Sequence, residues 1–206
     1  MTGDSIGEAV KILKAGGVVA HPADTCFGLA ADLMNEKALG KLQRIKGRDA
    51  GKPMSIMLPP HLVPRLGDYA VLDDFAETVC ARLFPGPVTI VLPKGLKIPD
   101  YFFPDLKTIG IRIPYGTENS DLLMKFRQPM ITTSANLSDH PVCCSCEDVI
   151  RAFEGSKYQP DLLLEGEIQG ICMPSTVISP EGGKVTILRE GPLKKEQIGA
   201  ILGLDV

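Results

Sequence analysis

The sequence predicts an α/β or α+β domain built on a mixed, twisted sheet. Three observations carry that expectation. Short β-branched or leucine-rich runs alternate with segments of helical apolar spacing, and two strand-like runs sometimes follow one another, which argues against a strict doubly wound repeat. Gly and Pro, 21 and 17 of 206 residues, punctuate the boundaries. Trp is absent and 5% of residues are aromatic, so the core has to be built from Val, Ile, Leu, Ala and Met.

In chain order, residues 6–13 read as a helix with Ile6, Val10 and Leu13 on one face, ended by Gly16 and Gly17. Val18, Val19 and Ala20 form a short strand closed by Pro22. Asn35 is placed to cap a helix in which Ala38, Leu42 and Ile45 recur at helical spacing, with Gly47 as its stop. Residues 54–58 are strand-like. Residues 72–83 regain helical spacing, which Phe84, Pro85, Gly86 and Pro87 break. Further strands are expected at 89–92, 108–113, 130–133, 162–164, 176–179 and 185–188. Ser145 and Asp148 form a capping-box pattern ahead of Val149 and Ile150, and residues 194–202 make a last helix. No repeat, linker or low-complexity segment interrupts this order, so residues 1–206 are expected to be a single domain.

The formal net charge of −3 argues against a nucleic-acid coat or a membrane binder. An anion site therefore has to come from a local cluster. Residues 36–52 supply one: Lys37, Lys41, Arg44, Lys46, Arg48 and Lys52 outnumber Glu36 and Asp49. No signal-peptide pattern opens the chain, and no apolar run approaches the ~18 residues needed to span a bilayer. Cys143, Cys144 and Cys146 crowd together while Cys26, Cys80 and Cys172 stand alone, unlike a secreted disulfide framework. The expectation is a cytoplasmic protein with reduced thiols and no membrane partner.

The common catalytic signatures fail. Gly47 to Lys52 has three residues between its glycines where a phosphate loop needs four, and Pro53 stands where Ser or Thr belongs. No G-x-G-x-x-G or H-E-x-x-H occurs, and His21, His61 and His140 are scattered. Ser134 lies outside any G-x-S-x-G elbow. Cys143 and Cys146 have metal-ligand spacing without a second pair, which favours a free-thiol loop and no metal site.

What remains is a set of blocks. His21 to Leu29 (HPADTCFGL) follows a strand; Lys46, Gly47 and Arg48 precede Lys52, Pro53 and Met54. Phe84 to Thr89 (FPGPVT) and Ile111 to Pro114 (IRIP) come next. Thr132 to Asn136 (TTSAN) ends another strand; Pro174 to Val177 (PSTV) and Ile187 to Gly191 (ILREG) complete the order. Taken together, over residues 6–191, this order resembles the YrdC-like family of threonylcarbamoyl-AMP synthases. The chain ends soon after the last block, as expected of the short, one-domain form.

The resemblance implies a twisted α/β sheet around a large, positively lined concave cavity. It implies formation of threonylcarbamoyl-AMP and pyrophosphate from L-threonine, bicarbonate and ATP with Mg²⁺. A downstream transferase complex then acts on tRNA. By the same resemblance, Lys46 and Arg48 are catalytic and bind ATP together with Ser134, Asn136, Ser175 and Arg189. Thr25, Phe27, Arg112 and Ser175 bind threonine. Ala23, Phe27, Met57 and Asp139 depart from common family residues, mostly on the amino-acid side of the cavity.

The residue types suit this chemistry. Lys offers a point charge and Arg a bidentate fork to phosphate oxygens, although basic residues in a last helical turn also simply complement the dipole. Ser134 and Asn136 would add neutral donors after a strand, where an ordinary turn pair is the plain alternative. Arg112 lies among Ile109, Ile111 and Ile113, so it needs an anion: a buried Asp or Glu, or the threonine carboxylate. Two other readings stay open. One is a non-catalytic module that binds RNA weakly through residues 36–52; the other is a same-fold enzyme making a carbamoyl-adenylate from carbamoyl phosphate.

Overall fold

In the computed structural model, helix α1 (Ser5–Lys14) leads into strand β1 (Val18–His21), and β2 (Gly28–Asp32) returns antiparallel beside it. Residues 5–47, 53–115, 118–168 and 170–206 are described. Helix α2 (Glu36–Lys46) precedes β3 (Ser55–Met57), a 3-10 turn at Pro60–Arg65 and the short helix α3 (Leu66–Tyr69). Then come helix α4 (Asp74–Leu83), strands β4 (Val88–Pro93) and β5 (Thr108–Arg112), helix α5 (Glu118–Phe126) and β6 (Met130–Ser134). Helix α6 (Cys146–Phe153), β7 (Leu162–Leu163), the hairpin of β8 (Thr176–Glu181) and β9 (Lys184–Arg189), and helix α7 (Lys195–Leu202) follow.

These strands form one sheet in the order β7-β1-β2-β6-β3-β5-β4-β8-β9. The pairs β1–β7, β3–β5 and β4–β8 are parallel and the rest antiparallel, so the mixed sheet expected from the sequence is present. Side chains of a strand alternate between faces. Val18 and Ala20 of β1 enter one core while Val19 enters a second. That double burial is why β1 reads as an unbroken apolar run.

The larger core takes Leu42 and Ile45 from α2, Val79 and Leu83 from α4, Val149 from α6 and Ile198 from α7. The smaller one packs Ala9, Val10 and Leu13 of α1 and Leu122, Leu123 and Phe126 of α5 against Val19, Ala30, Met57 and Met130. On that second face Ser55 pairs with Gly110 and Thr132, and Met57 with Arg112. The residues beyond the α1–α5 layer are thus polar, and they become the floor of a cavity.

The helix ends obey their signals. Asn35 Oδ1 accepts from the Ala38 N–H at 3.2 Å, and Gly47, at φ 56°, closes α2 by donating to the Arg44 carbonyl. Ser145 and Asp148 make the reciprocal capping box at α6. Ser145→Ala is expected to cost about 1 kcal/mol and to lower Tm by roughly 3 °C in calorimetry.

Three features differ from the sequence expectation. The helix expected over 72–83 starts at Asp74, because Asp73 Oδ1 accepts from the Ala76 N–H at 2.7 Å and leaves Leu72 outside. Strand β2 and helices α3 and α5 were not expected. The β2 sequence (GLAAD) has poor strand propensity and is held in place by burial between β1 and β6. Last, the thiols are not all reduced: Cys144 and Cys172, 28 residues apart, form a disulfide, while Cys26, Cys80, Cys143 and Cys146 are free. Chain segments either side of residues 25–27 bring that pair together, a proximity that spacing along the chain does not encode.

Candidate functional site

An open cavity of about 210 Å³ lies on the polar face of the sheet. Ser55, Met57, Arg112 and Thr132 line its floor. Gly110 fits this floor because it lacks a side chain: a Cβ there would lie 2.7 Å from Ser55 Oγ and 2.9 Å from Thr89 Cγ2. The turn between β1 and β2 supplies one wall through Thr25, Cys26 and Phe27. The turn after β6 supplies another through Ser134, Asn136, Ser138 and Asp139, and the third contains Pro174, Ser175 and Arg189.

Lys46, in the last turn of α2, is 3% exposed. Its Nζ donates to the Ser134 carbonyl at 2.8 Å, the Asn136 carbonyl at 2.5 Å and Asn136 Oδ1 at 2.9 Å. The Ser138 N–H in turn donates to the Lys46 carbonyl at 3.0 Å. The ammonium therefore organises the Ser-Ala-Asn turn and keeps a positive charge against the cavity. The Gly47 stop matters here, because it ends α2 with Lys46 aimed at this turn.

Arg112 has a buried carboxylate beside it. Its Nη2 pairs with Asp24 Oδ1, and both side chains are 8% exposed. The pair leaves Arg112 Nε and Asp24 Oδ2 unused, and Ser138 Oγ is likewise buried with no hydrogen-bond partner among the described residues. Each such atom costs about 1–3 kcal/mol, so a cluster of them at a cavity points to a polar ligand.

On the third wall, Arg189 Nε and Nη2 donate to the Ser175 carbonyl at 3.1 and 2.8 Å. The Ser175 hydroxyl lies 2.8 Å from Thr89 Oγ1. Burial lowers the Arg189 pKa, and the like charge of Arg112 pushes the same way. Burial raises the Cys26 thiol pKa, with Arg112 pulling part of it back. Two guanidiniums and one ammonium thus share this cavity with a ring of hydroxyl and amide groups.

Of the residues singled out in the sequence, Thr25, Phe27, Lys46, Arg112, Ser134, Asn136, Ser175 and Arg189 all line the one cavity; Arg48 lies outside the described residues. Asp24, Ser55, Thr89, Thr132 and Ser138 were missed as site residues. Thr89 and Thr132 carried a usable signal, being polar positions inside apolar strands, as Arg112 is.

Sheet and site together define an α/β domain that presents cations and hydroxyls around one cavity at the ends of several strands. The chain belongs to the Sua5/YciO/YrdC family: the family model, described as "Telomere recombination", matches residues 11–191. A relative from Thiobacillus denitrificans, named threonylcarbamoyl-AMP synthase, is 32% identical over 175 residues, which is 84% of this chain and 89% of the relative. One of the same name from Bacillus subtilis is 31% identical over 96% of this chain, which spans 56% of that longer protein. The crystal structure of Sua5 from Pyrococcus abyssi complexed with L-threonine superposes with a TM-score of 0.86 at 30% identity. That superposition covers 96% of this chain and 57% of the other.

Proposed function

We propose that this chain is a threonylcarbamoyl-AMP synthase, making threonylcarbamoyl-AMP and pyrophosphate from L-threonine, bicarbonate and ATP for threonylcarbamoyladenosine modification of tRNA. The observation that carries the reading is the convergence, in a member of this family, of Lys46, Arg112 and Arg189 with Ser134, Asn136 and Ser175 around one cavity. The threonine amine attacks CO₂, or bicarbonate with loss of water, and gives a carbamate. A carbamate oxygen then attacks the α-phosphorus of ATP, and pyrophosphate leaves. No protein nucleophile is needed; alignment and charge stabilisation suffice.

Lys46 holds the Ser134–Asn136 turn and its charge faces the phosphates; Arg48, two residues further along the sequence, is taken from the family resemblance as the second catalytic cation. Arg189 and Ser175 hold the nucleotide. Arg112, Thr25 and Phe27 define the amino-acid side, where Arg112 Nε receives the partner it lacks. Mg²⁺ arrives with the triphosphate, and Asp139 is the one carboxylate among the described residues that line the cavity. The product is a reactive mixed anhydride, so a transferase that accepts it belongs directly downstream, in the cytoplasm where tRNA is modified.

Arg189→Ala is expected to raise the KM for ATP about tenfold and leave the KM for threonine within twofold, as loss of a charge-assisted contact to one substrate would do. The reading itself is tested with labelled bicarbonate. Label should enter an adenylate only with L-threonine and ATP present. Serine in place of threonine should give less product, and carbamoyl phosphate in place of bicarbonate none. Adenylate from carbamoyl phosphate alone would transfer the site to the carbamoyl-adenylate chemistry.

A further inference from the structure

The Cys144–Cys172 disulfide has no part in the reaction above, yet it joins two walls of its cavity. Cys144 follows the wall residues Ser138 and Asp139, and the carbonyl of its neighbour Cys143 accepts from the Phe27 N–H at 3.0 Å. Cys172 precedes Pro174 and Ser175, and its neighbour Met173 donates its N–H to the Thr25 carbonyl at 2.9 Å. Thr25 and Phe27 are therefore gripped from both sides by segments that the disulfide ties together. We propose that Cys144 and Cys172 form a redox-sensitive strap: closed, it orders the Thr25–Phe27 turn for substrate; opened by reduction, it loosens that turn and weakens binding. The substrates named in the test rest on the synthase reading; the mechanical effect of the strap does not.

The strap is reachable, since Cys144 is exposed and Cys172 half-buried. A dithiol reductant opens it. One thiolate attacks a strap sulfur, the S–S bond breaks, and the second thiol of the reductant resolves the mixed disulfide. Two electrons and two protons pass to Cys144 and Cys172, which end as thiols, and the reductant ends as a disulfide. A small disulfide oxidant reverses each step. The thiolate is the nucleophile in such exchange. Burial pushes the Cys80 pKa up to about 12 and the Cys143 pKa up to about 11, which keeps both out of it. Half-buried Cys146 lies two positions from Cys144 and is the thiol that a control has to remove.

Opening the strap leaves the sheet intact, because neither Cys144 nor Cys172 belongs to either hydrophobic core. It removes a loop constraint, so ordering the turn is then charged to ligand binding. Denatured without reductant, protein oxidised with glutathione disulfide should titrate four thiols, rising to six after dithiothreitol. Hydrogen exchange at the Phe27 and Met173 amides should accelerate about tenfold on reduction, while amides of the β3–β5 pair hold their rates. Calorimetry should give affinities for L-threonine and ATP about fivefold weaker in the reduced form. Cys172→Ser should show the reduced value under both conditions, and Cys146→Ser should keep the redox response.

Six thiols in the oxidised protein, equal exchange in the two forms, or equal affinity in the two forms for a ligand that binds both would each overturn the strap. If neither ligand binds either form while exchange responds as stated, the strap stands and the synthase reading falls. If both ligands bind without any response to reduction, the synthase reading stands and the strap falls.

Discussion

Lys46→Met is expected to cut pyrophosphate formation by about 10²–10³-fold, the size of effect seen when one preorganised electrostatic donor is removed from an active site. The substitution keeps the aliphatic length and deletes the charge. Three oxygens then lose a donor: the Ser134 carbonyl keeps the Asn136 N–H and Asn136 Oδ1 keeps the Ser134 hydroxyl, while the Asn136 carbonyl is left with no donor among the described residues. Leaving that buried carbonyl unsatisfied costs about 1–3 kcal/mol, so Tm should fall as well. Lys46→Arg should not restore the rate, because a planar fork cannot reproduce three bonds from one compact ammonium at a 3% exposed position. Steady-state kinetics beside a thermal melt checks both effects. A variant that melts lower yet turns over at the wild-type rate would reduce Lys46 to a structural residue.

Arg112→Met should have the largest effect on stability. It strands the Asp24 carboxylate at 8% side-chain exposure, and breaking such a buried pair from one side costs about 3–5 kcal/mol. Adding Asp24→Asn removes the stranded charge, so the double variant should recover much of the lost Tm. It should not recover the lost threonine affinity, expected to be tenfold or more, because Arg112 Nε is gone with the side chain. Stability and affinity thus separate in one mutant cycle. Recovery of both together would make the pair a structural element with no ligand role.

Much of this site was legible in the sequence. Arg112 stood out because a cation in an apolar strand must find an anion, and the helix pattern ending at Gly47 placed Lys46 at the edge of α2. Ser134 and Asn136 sat where a strand had to end. The hidden parts depend on contacts distant in sequence. Asp24 is recognisable as the Arg112 partner only once the β1–β2 turn lies against the end of β5, 88 residues away. Strand β2 has the wrong residues for a strand and the right neighbours for one. The Cys144–Cys172 pair was unreadable because it depends on how two loops grip the same turn. Local chemistry is written into spacing; partners across the fold are not.

The most direct test of the account is pyrophosphate release from ATP by the purified protein with Mg²⁺, omitting L-threonine and bicarbonate in turn. Release that needs both, and that stops when either is left out, is the predicted result. Release that ignores threonine or bicarbonate, or no release from protein that binds neither ATP nor threonine, would contradict it.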